Sequence, residues 1–132
     1  MRVIDASTIV KYVNREPNWR EVEKYFLEGC ITVDLAIKEV INSIWKRVLR
    51  GALSEEDGYK VFRGFIENLM VKIVNQENLL DNAFKIALKQ KCTIYDAIYI
   101  ALAKQEKLEL ITSDKKQKEL AEKENIKIIY IP

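Results

Sequence analysis

The chain has 132 residues, 48% hydrophobic and 32% charged, a balance that suits one folded domain over residues 1–132 and excludes a disordered segment. Its 22 basic and 20 acidic residues leave a formal charge of +2, so composition alone announces no nucleic-acid partner, and no stretch approaches the ~18 apolar residues of a membrane span. Cys30 and Cys92 lie far apart without a CxxC pair, which argues against zinc or a disulfide framework, and the absence of histidine removes Ser-His-Asp triads and HExxH zinc chemistry.

Any catalysis must therefore use carboxylates, with or without a metal. The start, Met1-Arg2-Val3-Ile4-Asp5, has no signal-peptide pattern, and a cytoplasmic protein is expected. Arg2 to Asp5 reads as a short buried strand, with Ser7 as the cap of a helix beginning Thr8-Ile9-Val10. Asn14 to Asn18 is a break. Trp19 to Glu28 follows as a helix closed by Gly29, and Cys30 to Val33 as a second strand.

Asp34 opens a long helix to about Arg50, in which Ile37, Val40, Ile41, Ile44, Trp45, Val48 and Leu49 hold the spacing of a core-facing side. Ser54-Glu55-Glu56-Asp57 has capping-box character for a helix reaching about Asn68. Val71 to Val74 is a third strand, and Glu77 to about Gln90 a helix in which Leu79, Leu80, Ala83, Phe84, Ala87 and Leu88 recur at three and four. Thr93 caps a helix to about Glu106. Leu108 to Thr112 is a fourth strand, Asp114 to Glu124 a helix, and Ile126 to Ile131 a fifth strand. Strands separated by helical crossovers predict an α/β fold of three layers around a mostly parallel sheet.

In that fold ligands bind outside the carboxyl ends of the strands. Asp5 and Asp114 each follow a strand there, while Glu39 and Asp96 lie near helix amino ends on the same edge. Each has a plain reading alone: Asp5 as a turn residue, Asp114 as a cap, Asp96 as part of a capping box, Glu39 as solvated surface. Together they would form one acidic pocket. Two like charges about 5 Å apart at an effective dielectric near 20 repel by about 3 kcal/mol, so such a pocket needs protons or a cation. All-oxygen ligands suit a hard ion, Mg²⁺ or Mn²⁺.

Four segments carry a resemblance. Val3-Ile4-Asp5-Ala6-Ser7, Leu35 to Asn42, Tyr95 to Ala103 and Leu110-Ile111-Thr112-Ser113-Asp114 resemble, in order and spacing, the four acidic motifs of the PIN-domain ribonucleases, and within them the compact VapC-like toxins. The resemblance implies a sheet of order 3-2-1-4-5, with Asp5, Glu39, Asp96 and Asp114 at the acidic metal-site positions and Ser7, Asn42 and Thr112 as supporting polar residues. It further implies metal-dependent cleavage of RNA, a cognate antitoxin and a homodimer. Lys115 and Lys116 stand where some relatives carry a further acid, which weakens the case for a second metal, and Asp34 replaces a common proline.

A metal held chiefly by Asp5 and Asp96 would polarise the phosphate, with Glu39 or Asp114 orienting the attacking water. Lys46, Arg47, Arg50, Lys11, Arg15, Lys115 and Lys116 are candidates to neutralise RNA phosphates, and Tyr12 or Trp45 to stack a base. The alternative is a catalytically silent PIN-fold scaffold. A receiver domain is disfavoured because Val74-Asn75 occupies the place of its phosphoacceptor, and an aspartyl phosphatase because Ser7 stands where a second acid belongs.

Overall fold

The computed structural model describes residues 1–132. Its centre is a five-stranded parallel sheet of order β3-β2-β1-β4-β5, with β1 at Arg2–Ile4, β2 at Cys30–Val33, β3 at Lys72–Val74, β4 at Leu110–Thr112 and β5 at Ile128–Tyr130. Val3 aligns with Ile31 on one side and Leu110 on the other. Such a strand, covered on both faces, has no need of polar alternation, and β2 and β4 are buried along their whole length.

The helices are α1 Ala6–Val13, α2 Glu23–Glu28, α3 Leu35–Leu49, α4 Glu55–Glu67, α5 Leu80–Gln90, α6 Ile94–Glu106 and α7 Lys115–Lys123. Right-handed crossovers place α1 to α4 on one face of the sheet and α5 to α7 on the other. The helix α6 lies against β1, β2 and β4 and is buried without interruption from Ala97 to Ala103, which is why it is apolar all round. Val3, Ile4, Ile98, Ile100, Leu102, Leu110 and Ile111 make the centre of the core.

Caps explain most boundaries. Asp34, Ser54 and Thr93 accept from the amides of Leu35, Asp57 and Asp96. Gly29 (φ 103°) and Gly51 (φ 79°) turn the chain after α2 and α3. Gly58 serves closeness instead: a Cβ there would stand 2.5 Å from Val48 Cγ2, so any other residue would force Val48 to shift where α4 meets α3. On the far side, Glu124 is buried after α7 and accepts from Lys104 at 2.8 Å and from Gln90, with Lys89 at 3.3 Å, tying α5, α6 and α7 together. Burial disfavours its charge, but the bonds from Lys104, Gln90 and Lys89 prevail and hold its pKa below the usual value.

Several expectations need correction. The cap of α1 is Asp5, whose carboxylate accepts from the Thr8 amide, and Ser7 lies inside the helix. The segment after the break opens as a 3₁₀ turn, Trp19–Val22, before α2, and another, Glu77–Leu79, precedes α5. Trp45 and Leu49 are 55% and 68% exposed rather than core-facing, and so are Leu80, Phe84 and Leu88 on α5 at 44%, 58% and 65%. Val40 and Ile44 of the expected α3 face are buried, joined by Ala36, and Leu79 and Ala83 of the expected α5 face are buried, joined by Ile86, so the buried stripe is narrower than the apolar one. No helix is long and apolar enough to cross a membrane.

Candidate active site

The chain moves from β1 to β2 and β3 on one side, then returns to β4 on the other side of β1. The crevice outside the carboxyl ends of β1 and β4 is thus the switch point of the sheet. Asp5 leaves β1 there, 4% exposed. Its Oδ1 accepts from Ser7 Oγ at 2.6 Å and from the Thr8 amide at 3.2 Å, and its Oδ2 from Thr112 Oγ1 at 2.5 Å. Ser7 Oγ accepts in turn from the Ser113 amide at 3.0 Å, and Thr112 Oγ1 from the Asp114 amide at 3.1 Å. These hydroxyls bind the loop after β1 to the loop after β4.

Every one of those donors is neutral. Burial therefore pushes the Asp5 carboxyl up from 3.8 to about 6, against the pull of Ser7, Thr112 and Thr8, and the charge of Asp114 adds to the rise. Asp114 itself is half-buried and caps α7, its Oδ1 accepting from the Lys116 amide at 3.0 Å. Asp96 is half-buried in the first turn of α6.

Glu39 on α3 accepts from the Tyr99 hydroxyl of α6 at 2.7 Å. Burial raises its pKa, the Tyr99 bond opposes, and the charge of Asp96 adds. The Tyr99 phenol is held well above its usual range by burial, then by the charge of Glu39 and the bond to it, then by Asp5 and Asp96. It stays a neutral donor. Asp114 acts on Asp5, Asp96 acts on Glu39, and Tyr99 stands in the field of Asp5, Glu39 and Asp96, so the acids are coupled in two pairs with one phenol within reach of three of them.

The cluster is open. No three of its acids close into a ready-made metal cage, and the one cation against them is Lys116, whose Nζ lies 3.6 Å from Asp96 Oδ2. The donor set nevertheless fits a hard divalent ion: it is all oxygen, and Asp5 Oδ2 receives a single hydrogen bond, which leaves a lone pair free.

Other candidate residues divide. Ser7 and Thr112 touch Asp5, whereas Asn42 is exposed, and the polar link from that part of α3 is made by Ser43, which accepts from Asn14 at 3.0 Å. Lys46, Arg50 and Lys115 are exposed. Lys11 is buried, and its ammonium donates to the Pro17 carbonyl at 2.9 Å, so it is no surface cation. Arg47 donates to Asn14 at 3.0 Å, and Arg15 stacks on Trp19 at 4.0 Å. Tyr12 packs edge-on against Trp19 and Phe26 and offers no platform for a base. Sequence reasoning gave no role to Tyr99 or Ser113, although both hydroxyls lie inside the segments Tyr95 to Ala103 and Leu110 to Asp114.

A parallel sheet of this order with a buried carboxylate and three further acids near its switch point defines an α/β domain with an acidic edge. Residues 2–123 match the family described as PIN domain. Ribonuclease VapC3 of Pyrobaculum aerophilum is 35% identical over 124 residues, covering 92% of each chain. Among solved structures, PAE2754 from Pyrobaculum aerophilum superposes with a TM-score of 0.72 at 21% identity, over 90% of this chain and 78% of that one. VapC20 of Mycobacterium tuberculosis, described as a Sarcin-Ricin loop cleaving toxin, gives 0.68 at 11% identity over 90% and 94%. The chain belongs to the PIN-domain family.

Proposed function

We propose that the chain is a ribonuclease, the toxin of a toxin–antitoxin pair, and more finely an Mg²⁺- or Mn²⁺-dependent endoribonuclease working as a single PIN domain in the cytoplasm. The observation that carries this reading is Asp5: a carboxylate buried at the switch point among neutral donors is costly unless a cation completes it. The likeness to Ribonuclease VapC3 supports the substrate class. A toxin–antitoxin complex from Klebsiella pneumoniae shares the fold, with a TM-score of 0.64, and supports an antitoxin partner.

In this reading Asp5 and Asp96 are the principal ligands of the divalent ion, with Glu39 and Asp114 beside them. When bound, such an ion supplies neutralisation of the acids, polarisation of the phosphate and a lowered pKa for water. The residues of the chain do the rest. Glu39, whose pKa is raised, takes the proton of the attacking water or orients it through its free oxygen, while Tyr99 holds the other. Ser7 and Thr112 keep Asp5 in one rotamer. Exposed Lys46, Arg50 and Lys115 meet RNA phosphates. An apolar groove of about 630 Å³ lined by Ile9, Tyr12, Phe26, Phe65 and Met70, and the uncovered side chains of α3 and α5, favour partner chains: the antitoxin and a second copy in a homodimer.

One observation favours the silent scaffold: the acids stand open, with Lys116 against Asp96. A cleavage assay on RNA with excess chelator, then with Mg²⁺ or Mn²⁺ restored, separates the two. Cleavage should appear only with metal, and Asp96→Asn should abolish it while leaving the melting curve in chelator unchanged. Cleavage that persists in chelator, or survives Asp96→Asn, refutes the mechanism.

A further inference from the structure

Gln117 is 2% exposed, in the first turn of α7, three residues beyond Asp114. Its Nε2 donates to the backbone carbonyl of Asp96 at 2.9 Å, and its Oε1 is buried without a partner. A buried amide with an orphaned oxygen is a poor packing group, since an apolar side chain of the same length would fill the space without that penalty. What the amide adds is a directional tie between two helix starts, one carrying Asp96 and the other capped by Asp114.

We propose that Gln117 is a positioning residue: it bolts the amino end of α7 to the amino end of α6 and so sets the separation of Asp114 and Asp96 for one divalent ion. The inference rests on the metal-dependent reading above. Lys116, the preceding residue, reaches the same aspartate from the same turn, but its ammonium is largely exposed and sits 3.6 Å away, where solvent screens it. The two neighbours act oppositely on metal. Lys116 competes with it for the Asp96 carboxylate, whereas Gln117 grips the backbone and leaves that carboxylate free.

The test is calorimetric titration of the purified chain with Mn²⁺, beside thermal melts in chelator, for wild type, Gln117→Met and Lys116→Met. Gln117→Met should bind Mn²⁺ at least tenfold more weakly while melting at or above the wild-type temperature, because the orphaned oxygen is gone. Lys116→Met should bind severalfold more tightly. Mn²⁺ affinity of Gln117→Met within twofold of wild type overturns the proposal. So does a Gln117→Met chain that melts lower or does not fold, for the amide would then be a plain packing group. Wild-type protein that takes up no Mn²⁺ fails the metal reading itself, and this inference with it, whereas a failure confined to Gln117→Met leaves that reading standing.

Discussion

Asparagine at position 5 would remove one buried charge and almost nothing of the side chain's shape. Burial lifts the Asp5 carboxyl from 3.8 to about 6, so at pH 8 the folded chain carries its ionised form at a cost of about 3 kcal/mol relative to the unfolded chain. Asp5→Asn cancels that cost. Its oxygen can still receive Ser7 and the Thr8 amide, but its NH₂ group must face Thr112, which then has to accept where it had donated. That rearrangement returns about 1 kcal/mol. The net gain is about 1–3 kcal/mol without metal, which for a domain of this length raises the melting temperature by roughly 3–6 °C per kcal/mol.

The pH dependence has a definite sign. Because the folded pKa of Asp5 lies above the unfolded one, its relative contribution is present in full below pH 4 and lost as pH rises through 6. Melts of wild type and Asp5→Asn in chelator should therefore coincide near pH 3.5 and separate towards pH 8, with the variant higher. Adding Mn²⁺ should reverse the order at pH 8, because only wild type gains a ligand. A variant less stable than wild type at pH 8 in chelator would show that the hydroxyls of Ser7 and Thr112 compensate the charge completely, and the case for a cation would fall.

Replacing Lys46 and Arg50 together with alanine should weaken RNA binding at low salt and reduce the slope of log affinity against log salt by about 1–2, since each lost phosphate contact removes close to one released counterion. An unchanged slope assigns both to plain surface. Glu124→Gln should destabilise the fold by about 1–3 kcal/mol in denaturant titrations at pH 7, towards the lower end because Lys89 and Lys104 are 66% and 54% exposed and can rehydrate. With its pKa held low, Glu124 contributes stability above its usual value of 4.5 that is lost as pH falls, so the gap to Glu124→Gln should close in acid. A gap that widens in acid refutes that assignment.

Local chemistry was legible where one physical cause acts alone. The run Cys30 to Val33 became β2 because four consecutive apolar or small residues suit a strand covered on both faces, and Ser54 and Thr93 capped helices because their hydroxyls reach an amide three residues on. Asp5 and Ser7 competed for one cap, and spacing decided it: only the carboxylate of Asp5 reaches Thr8, while Ser7 turns to Ser113. Periodicity named residues that share a face of α3 and α5, but not whether anything covers that face, so Trp45 and Phe84 were misplaced. In the candidate site the four acids stood out by position. Tyr99 did not, because in an apolar run a phenol reads as core, and Gln117 was hidden among Lys115, Lys116, Lys118 and Glu119, where an amide reads as solvated surface.

The hydrocarbon left bare on the outer helices sets terms for anyone handling the free chain. Trp45, Leu49, Phe84 and Leu88 are each more than half uncovered, while a pI near 8.4 puts the point of least mutual repulsion inside the range of common alkaline buffers. Sulfate-rich precipitants strengthen the clumping of such patches. A concentrated stock should therefore cloud soonest in high sulfate at a pH close to that pI, and keep best in dilute buffer well below it.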